Sequence, residues 1–193
     1  MNGQRVMHLN PRHAMMRHTK KIVALSAALI IGLSGCGSSG TGESAADKAA
    51  AARASQAAAA KAHQSEVYRE CKTFMGPLDT KLSNLDALLD TGVQFSEYTS
   101  RVGQVSIAYN KLVKAMKANG GIDQHCLNKV GIPLEAAYNA YTRGGNTWND
   151  CLQDYDCSFD KGSTALTSTQ KQWAKADRSI SKAEAALNKL APK

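Results

Sequence analysis

At 193 residues the chain is long enough to bury one modest hydrophobic core. Much of its formal charge of +8 sits at the start, where Arg5, Arg12, Arg17, Lys20 and Lys21 precede Cys36 and no acidic residue occurs. Without those five the charge falls to +3 and no dense Lys/Arg stripe remains, which excludes a nucleic-acid-binding surface.

The basic stretch runs into IVALSAALIIGL, residues 22–33. As a helix these 12 residues span about 18 Å, short of the ~30 Å hydrocarbon layer that a crossing needs. A basic lead, a short apolar core and small residues after it predict a bacterial export signal over residues 1–35. The lead is long for such a signal, and Met15 or Met16 offers an alternative start that leaves MRHTKK as the basic region.

Five cysteines leave at least one outside any internal pair. Leu33-Ser34-Gly35-Cys36 resembles the lipobox of bacterial lipoproteins: an aliphatic residue, two small ones, then cysteine. The resemblance implies a diacylglycerol on the Cys36 sulfur, cleavage before Cys36 and an acylated new amino terminus. Two or three acyl chains meet the requirement for stable anchoring. Cys36 is therefore the expected lipidation site, and the expected location is the extracytoplasmic face of a cell membrane. An ordinary signal cut nearby and an uncleaved anchor are the alternatives.

GSSGTGES (37–44) reads as a flexible tether. AADKAAAARASQAAAAKAHQSE (45–66) is dominated by alanine and has no large apolar residue. Alanine favours helix but buries little surface, so this segment reads as a stalk, helical or disordered. Residues 36–66 thus form a lipidated tether and stalk, and 67–193 the folded domain.

From Val67 the pattern changes. Val67, Cys71, Phe74, Leu78, Leu82, Leu85 and Leu89 recur at steps of three and four, and so do Phe95, Tyr98, Val102, Val105, Tyr109, Leu112 and Met116. A third set is Leu134, Tyr138, Tyr141, Gly145, Trp148 and Leu152. The fourth is Leu166, Thr169, Trp173, Ala176, Ile180, Ala183, Leu187 and Leu190. Each set predicts an amphipathic helix with one buried stripe. The expected fold is all-α, an antiparallel bundle of about four helices. Gly76-Pro77 should kink or split the first helix. Thr91-Gly92, Asn119-Gly120-Gly121 and Gly131-Ile132-Pro133 read as stops and starts, and residues 123–130 as a turn or two of helix within a connection. Ser163 or Thr164 should cap the last helix.

With Cys36 set apart, four cysteines remain in a compartment where disulfides persist. Folding the first two helices about residues 90–94 brings Cys71 toward Cys126, while Cys151 and Cys157 flank the last turn. Of three connectivities, the bundle predicts Cys71–Cys126 with Cys151–Cys157. Zinc on His125, Cys126, Cys151 and Cys157 is the rival, though the spacing fits poorly with the close ligand pairs of structural sites.

Catalytic patterns are scarce. Asp154, Asp156, Ser158 and Asp160 mimic the start of a calcium loop, but Phe159 stands at the turn glycine and Ala165 at the bidentate glutamate. An acidic, solvated turn accounts for them. No G-x-S-x-G, H-E-x-x-H or phosphate-cradling glycine loop occurs. The expectation is a non-enzymatic protein without cofactor or metal. YNAYTRGGNTWND (138–150) offers a second reading, in which Tyr138, Tyr141, Trp148 and Trp173 line a pocket for a small molecule or sugar. Gly144-Gly145 would then admit a ligand or another helix to the backbone, or break the third helix. Core packing is the commoner role for aromatics at this spacing. The run TWNDCLQDYDC (147–157), followed by a charged amphipathic helix, resembles small secreted helical lipoproteins of actinobacteria, and no site residues carry over with it. The expected role is an interaction or structural module of the cell envelope, meeting the membrane through Cys36 and an envelope protein or cell-wall component through its domain. A small-ligand binder is the alternative and an envelope enzyme the third.

Overall fold

The computed structural model describes residues 45–192. The expected export signal, the lipidation site Cys36 and the tether lie outside the described residues. The described chain is all-α, with no strand among its residues. Four long helices are α1 (Ala45–Thr91), α2 (Phe95–Ala118), α3 (Ile132–Gln153) and α4 (Thr164–Leu190). α1 packs against α2 and α4, and α3 packs against the same two, so the four close into a ring. The loops at 92–94 and 154–163 are short enough to make sequential helices antiparallel neighbours. Ser163 caps α4, its Oγ accepting from the Leu166 N–H at 3.2 Å. α2 ends where the Gly121 N–H reaches back to the Met116 carbonyl at 2.9 Å. This closure requires left-handed backbone after the helix, and Gly120 and Gly121 supply it at φ +76° and +115°.

α1 joins two chemically distinct halves without a break. Residues 46–64 are exposed throughout, and burial begins at Val67. The alanine-rich segment is therefore helical and continuous with the bundle. Beyond it the buried positions are Val67, Cys71, Met75, Leu78, Leu82 and Leu85. Each of the three leucines is at most 1 % exposed and contributes roughly 2 kcal/mol by leaving water. Met75 takes the inward place expected for Phe74, which is only half-buried.

Three expected interruptions are absent, each for a packing reason. Pro77 lies inside α1 and does not split it. Nearby Met75 and Leu78 are fully buried, and their tertiary packing offsets the roughly 3 kcal/mol cost of an internal proline. At 131–133 the expected helix start is present, α3 beginning at Ile132, but no gap precedes it. A helical turn at Gln124–Cys126, capped by Asp123 Oδ1 on the Cys126 N–H at 2.9 Å, runs through a π-helical Leu127–Gly131 directly into α3. Pro133 sits in the first turn of α3, where a missing N–H is tolerated. Gly131 is a packing slot: a β-carbon there would stand 2.9 Å from the Met75 Cε.

The third interruption, at Gly144-Gly145, is likewise absent, and α3 runs through both. Its buried face is Leu134, Ala137, Ala140, Tyr141, Gly144 and Cys151. That face is rotated from the expected stripe, leaving Leu152 58 % exposed and Tyr138 at the margin. The small residues decide the rotation. Ala137, Ala140 and Gly144 lie on the buried side of α3, as Ala176 and Ala183 do on α4, which lets the two backbones approach closely. Of the expected stripes, α2 buries Tyr98, Val105 and Leu112 and α4 buries Thr169, Ala176, Ile180, Ala183 and Leu190, the other members being part-buried.

Candidate functional site

The four cysteines of the described residues form two disulfides. Cys71–Cys126 has Cα atoms 5.5 Å apart, and Cys151–Cys157 has them 5.2 Å apart. The first fastens the middle of α1 to the helical turn after α2. The second ties the end of α3 to the loop before α4. About 25 residues of helix, roughly 35 Å, separate Cys126 from Cys151, so the pairs lie toward opposite ends of the bundle. His125, Cys126, Cys151 and Cys157 accordingly do not meet. The loop carboxylates serve their own loop: Asp154 Oδ1 accepts from the Asp156 N–H at 3.1 Å, and Asp160 Oδ2 accepts from the Ser158 hydroxyl at 2.7 Å.

The expected aromatic quartet divides. Tyr141, Trp148 and Trp173 gather around Tyr98 of α2, which belonged only to a core stripe in the sequence. Trp148 lies with its ring 5.7 Å from Tyr98, and Trp173 with its ring 5.6 Å from it. Tyr138 points elsewhere, stacking on Tyr109 at 5.1 Å and donating to the Ser106 Oγ at 3.1 Å. Phe95 meets Trp148 edge-on at 5.3 Å, and Phe159 of the last loop stacks on the same indole at 4.6 Å. Phe159, the residue that spoiled the calcium pattern, thus docks its loop on α3.

Tyr98 is the hub of this cluster. Its hydroxyl donates to the Tyr141 carbonyl at 2.6 Å and accepts from the Trp173 Nε1–H at 3.1 Å. Burial raises its ionisation well above the usual tyrosine value, so it stays neutral. The glycine pair makes room for it. A β-carbon on Gly144 would lie 3.0 Å from Trp173 Nε1 and 3.3 Å from the Tyr98 hydroxyl, and one on Gly145 3.0 Å from Tyr98 Cε1. The groups that approach the α3 backbone here are these two side chains.

A seam of carboxylates lies between α1 and α4. Tyr141 donates to Asp86 Oδ1 at 2.6 Å, Ser83 donates to Glu184 Oε1 at 3.4 Å, and the buried Asp79 Oδ1 has no hydrogen-bond partner. Burial first, and then the charge of Glu184, raise the Asp79 pKa above the ordinary carboxylate value. Burial raises Asp86 as well. The Tyr141 hydrogen bond opposes that shift, and the charges of Asp177 and Asp90 reinforce it. No ion pair neutralises the seam among the described residues. No group of three or more metal-ligating side chains occurs among them either.

Between α2 and α3, beside Tyr98, runs a half-open groove of about 190 Å³. Phe95, Tyr98, Val102 and Gly145 form its apolar part, and Asn146 and Asn149 are among its polar lining. None of Tyr138, Tyr141, Trp148 and Trp173 lines it. Sequence reasoning placed a pocket on the right segment of α3 but on its inward residues. The signal that marks the groove is the uncharged polar pair Asn146 and Asn149, three apart on one helix.

No known protein family, curated protein or solved structure matches this chain.

Proposed function

We propose that this chain is a lipoprotein held by acyl chains on Cys36 at the extracytoplasmic face of a cell membrane, its bundle acting as a non-enzymatic interaction or structural module of the envelope. The observation that carries the reading is the cysteine pattern. Cys71, Cys126, Cys151 and Cys157 pair among themselves, which leaves Cys36, inside the lipobox-like Leu33-Ser34-Gly35-Cys36, as the thiol available for acylation. Among the described residues no helix is long and apolar enough to cross a membrane. The exposed half of α1 supports the same reading. Residues 46–64 form a polar-dotted helix about 30 Å long, suited to carrying the bundle clear of a lipid surface. The partner class is an envelope protein or a cell-wall component.

Metabolic labelling with palmitate and membrane fractionation test the anchor. The parent chain is expected to incorporate label and sediment with membranes, and Cys36→Ala to lose both. Retention of Cys36→Ala on the membrane at the parental level overturns lipid anchoring. A second reading, a small-ligand-binding lipoprotein, is favoured by the groove between α2 and α3. An envelope enzyme stands third, with no converging catalytic set to support it.

A further inference from the structure

The geometry points to the α2–α3 groove as a binding site for a neutral saccharide ring. The inference rests on reading the bundle as a binding module, and it does not depend on the anchor.

The lining dictates the class of ligand. Phe95 and Val102, both part-buried, supply the accessible apolar surface, and no charged side chain borders the groove. An ionic ligand would be desolvated there without a counter-charge. The Tyr98 hydroxyl is already committed to Tyr141 and Trp173 and the residue is wholly buried, so it offers a ligand no oxygen. Polar recognition falls to Asn146 and Asn149, whose amides make no hydrogen bond among the described residues. Each carries two donor protons and an acceptor oxygen. The Thr99 and Thr142 hydroxyls, also in the lining, donate to their own helices at 3.0 Å and keep lone pairs for a ligand's hydroxyl protons. Apolar surface beside uncharged donors and acceptors matches a pyranose, with its C–H faces and hydroxyl edge. The volume of about 190 Å³ lies below the ~300–1,000 Å³ of drug-sized pockets and admits one ring, free or as a unit of a glycan.

Trp148 makes the site observable. Its indole touches both Phe95 and Tyr98, so filling the groove alters its emission. The full chain, kept in a zwitterionic detergent that has no sugar headgroup, is titrated with glucose, galactose, N-acetylglucosamine and its trisaccharide. Glucuronate serves as the charged control. A saturable emission change is expected for at least one neutral sugar, with a dissociation constant on the order of 1–10 mM for a ligand of this size. Glucuronate should bind at least tenfold more weakly. The double variant Asn146→Ala/Asn149→Ala, altered at solvent-facing amides and checked for an unchanged helical spectrum, should weaken binding at least tenfold. Tighter binding of the trisaccharide identifies a glycan as the source, and equal binding a free sugar. Absence of any saturable change up to about 100 mM overturns the proposal, as does binding that the double variant leaves intact. Fractionation of Cys36→Ala is independent of these readouts, so the anchor and the groove can fail separately.

Discussion

The Tyr141 hydroxyl of α3 lies 2.6 Å from Asp86 Oδ1 of α1, while the Tyr141 carbonyl accepts from Tyr98 of α2 at 2.6 Å. One residue thereby connects three helices through hydrogen bonds. A phenol donating to a carboxylate is strongest when the carboxylate is ionised. Tyr141→Phe is therefore expected to cost about 1–2 kcal/mol at pH 7.5 and clearly less at pH 3, below the ordinary carboxylate value of 3.8 from which burial raises Asp86. Thermal melts of parent and variant at both pH values check this; an equal loss at the two overturns the charge-assisted role.

Asp79 gives the opposite sign. Its folded-state pKa is raised from the ordinary 3.8 by burial and by Glu184, so the folded protein holds this proton more tightly than the unfolded chain does. The stabilisation is fully present below about pH 3.8 and is lost as pH rises through the folded value. Asp79→Asn removes the like charge and provides a donor facing Glu184. The variant should raise the melting temperature at pH 7.5 and leave it nearly unchanged at pH 3.5. A fall at pH 7.5 would show that the carboxylate is needed as such.

Two glycines inside helices should respond in opposite directions to alanine. At Gly144 the new methyl would meet Trp173 and Tyr98 at 3.0–3.3 Å. Overpacking of ~1–3 kcal/mol there exceeds the ~1 kcal/mol gain in helix propensity, so Gly144→Ala destabilises. Gly103, exposed on α2, has nothing within 4 Å of such a carbon, and Gly103→Ala should stabilise by about 0.5–1 kcal/mol. Urea unfolding midpoints at constant slope measure both.

The disulfides differ in access and in leverage. Cys71 and Cys126 are both wholly buried, whereas Cys157 is half-exposed in its loop. Limiting reductant should open Cys151–Cys157 first, because exchange requires access to a sulfur, and mass mapping of alkylated thiols follows the order. Replacing both cysteines of the long-range pair with Ala is expected to cost about 4 kcal/mol on the chain-entropy model, against about 2 kcal/mol for the short pair. Equal losses would show that loop length does not govern their contributions.

The helical class and the inward faces of α2 and α4 were legible in the sequence, because apolar residues at steps of three and four leave a helix one way to shed water. Burial along α1 begins at Val67, where alanine gives way to side chains large enough to fill a core. The misplaced features share a cause. Pro77, Gly131 and Gly144-Gly145 are local helix breakers, and locally each argues for an interruption. Neighbours distant in sequence override them: Met75 enters the slot at Gly131, and Tyr98 and Trp173 occupy the space beside Gly144. The rotation of α3 has the same origin, since alanines and glycine weigh little in a hydrophobic pattern yet set how closely two helices approach.

The division is therefore between what a helix decides alone and what its neighbours decide for it. From sequence alone came the all-α class, the pairing of Cys71 with Cys126 and of Cys151 with Cys157 expected of such a bundle, and the resemblance around Cys36 that motivates the anchor. Only the tertiary structure decided that α1 is continuous from stalk to core, that Tyr98 is the hub of the aromatic cluster, and that the groove is lined by Phe95, Asn146 and Asn149. The physical reason is range. Periodicity and loop length act within a helix or between sequential helices, whereas a groove, a carboxylate seam and a glycine slot exist only where surfaces from separate helices meet.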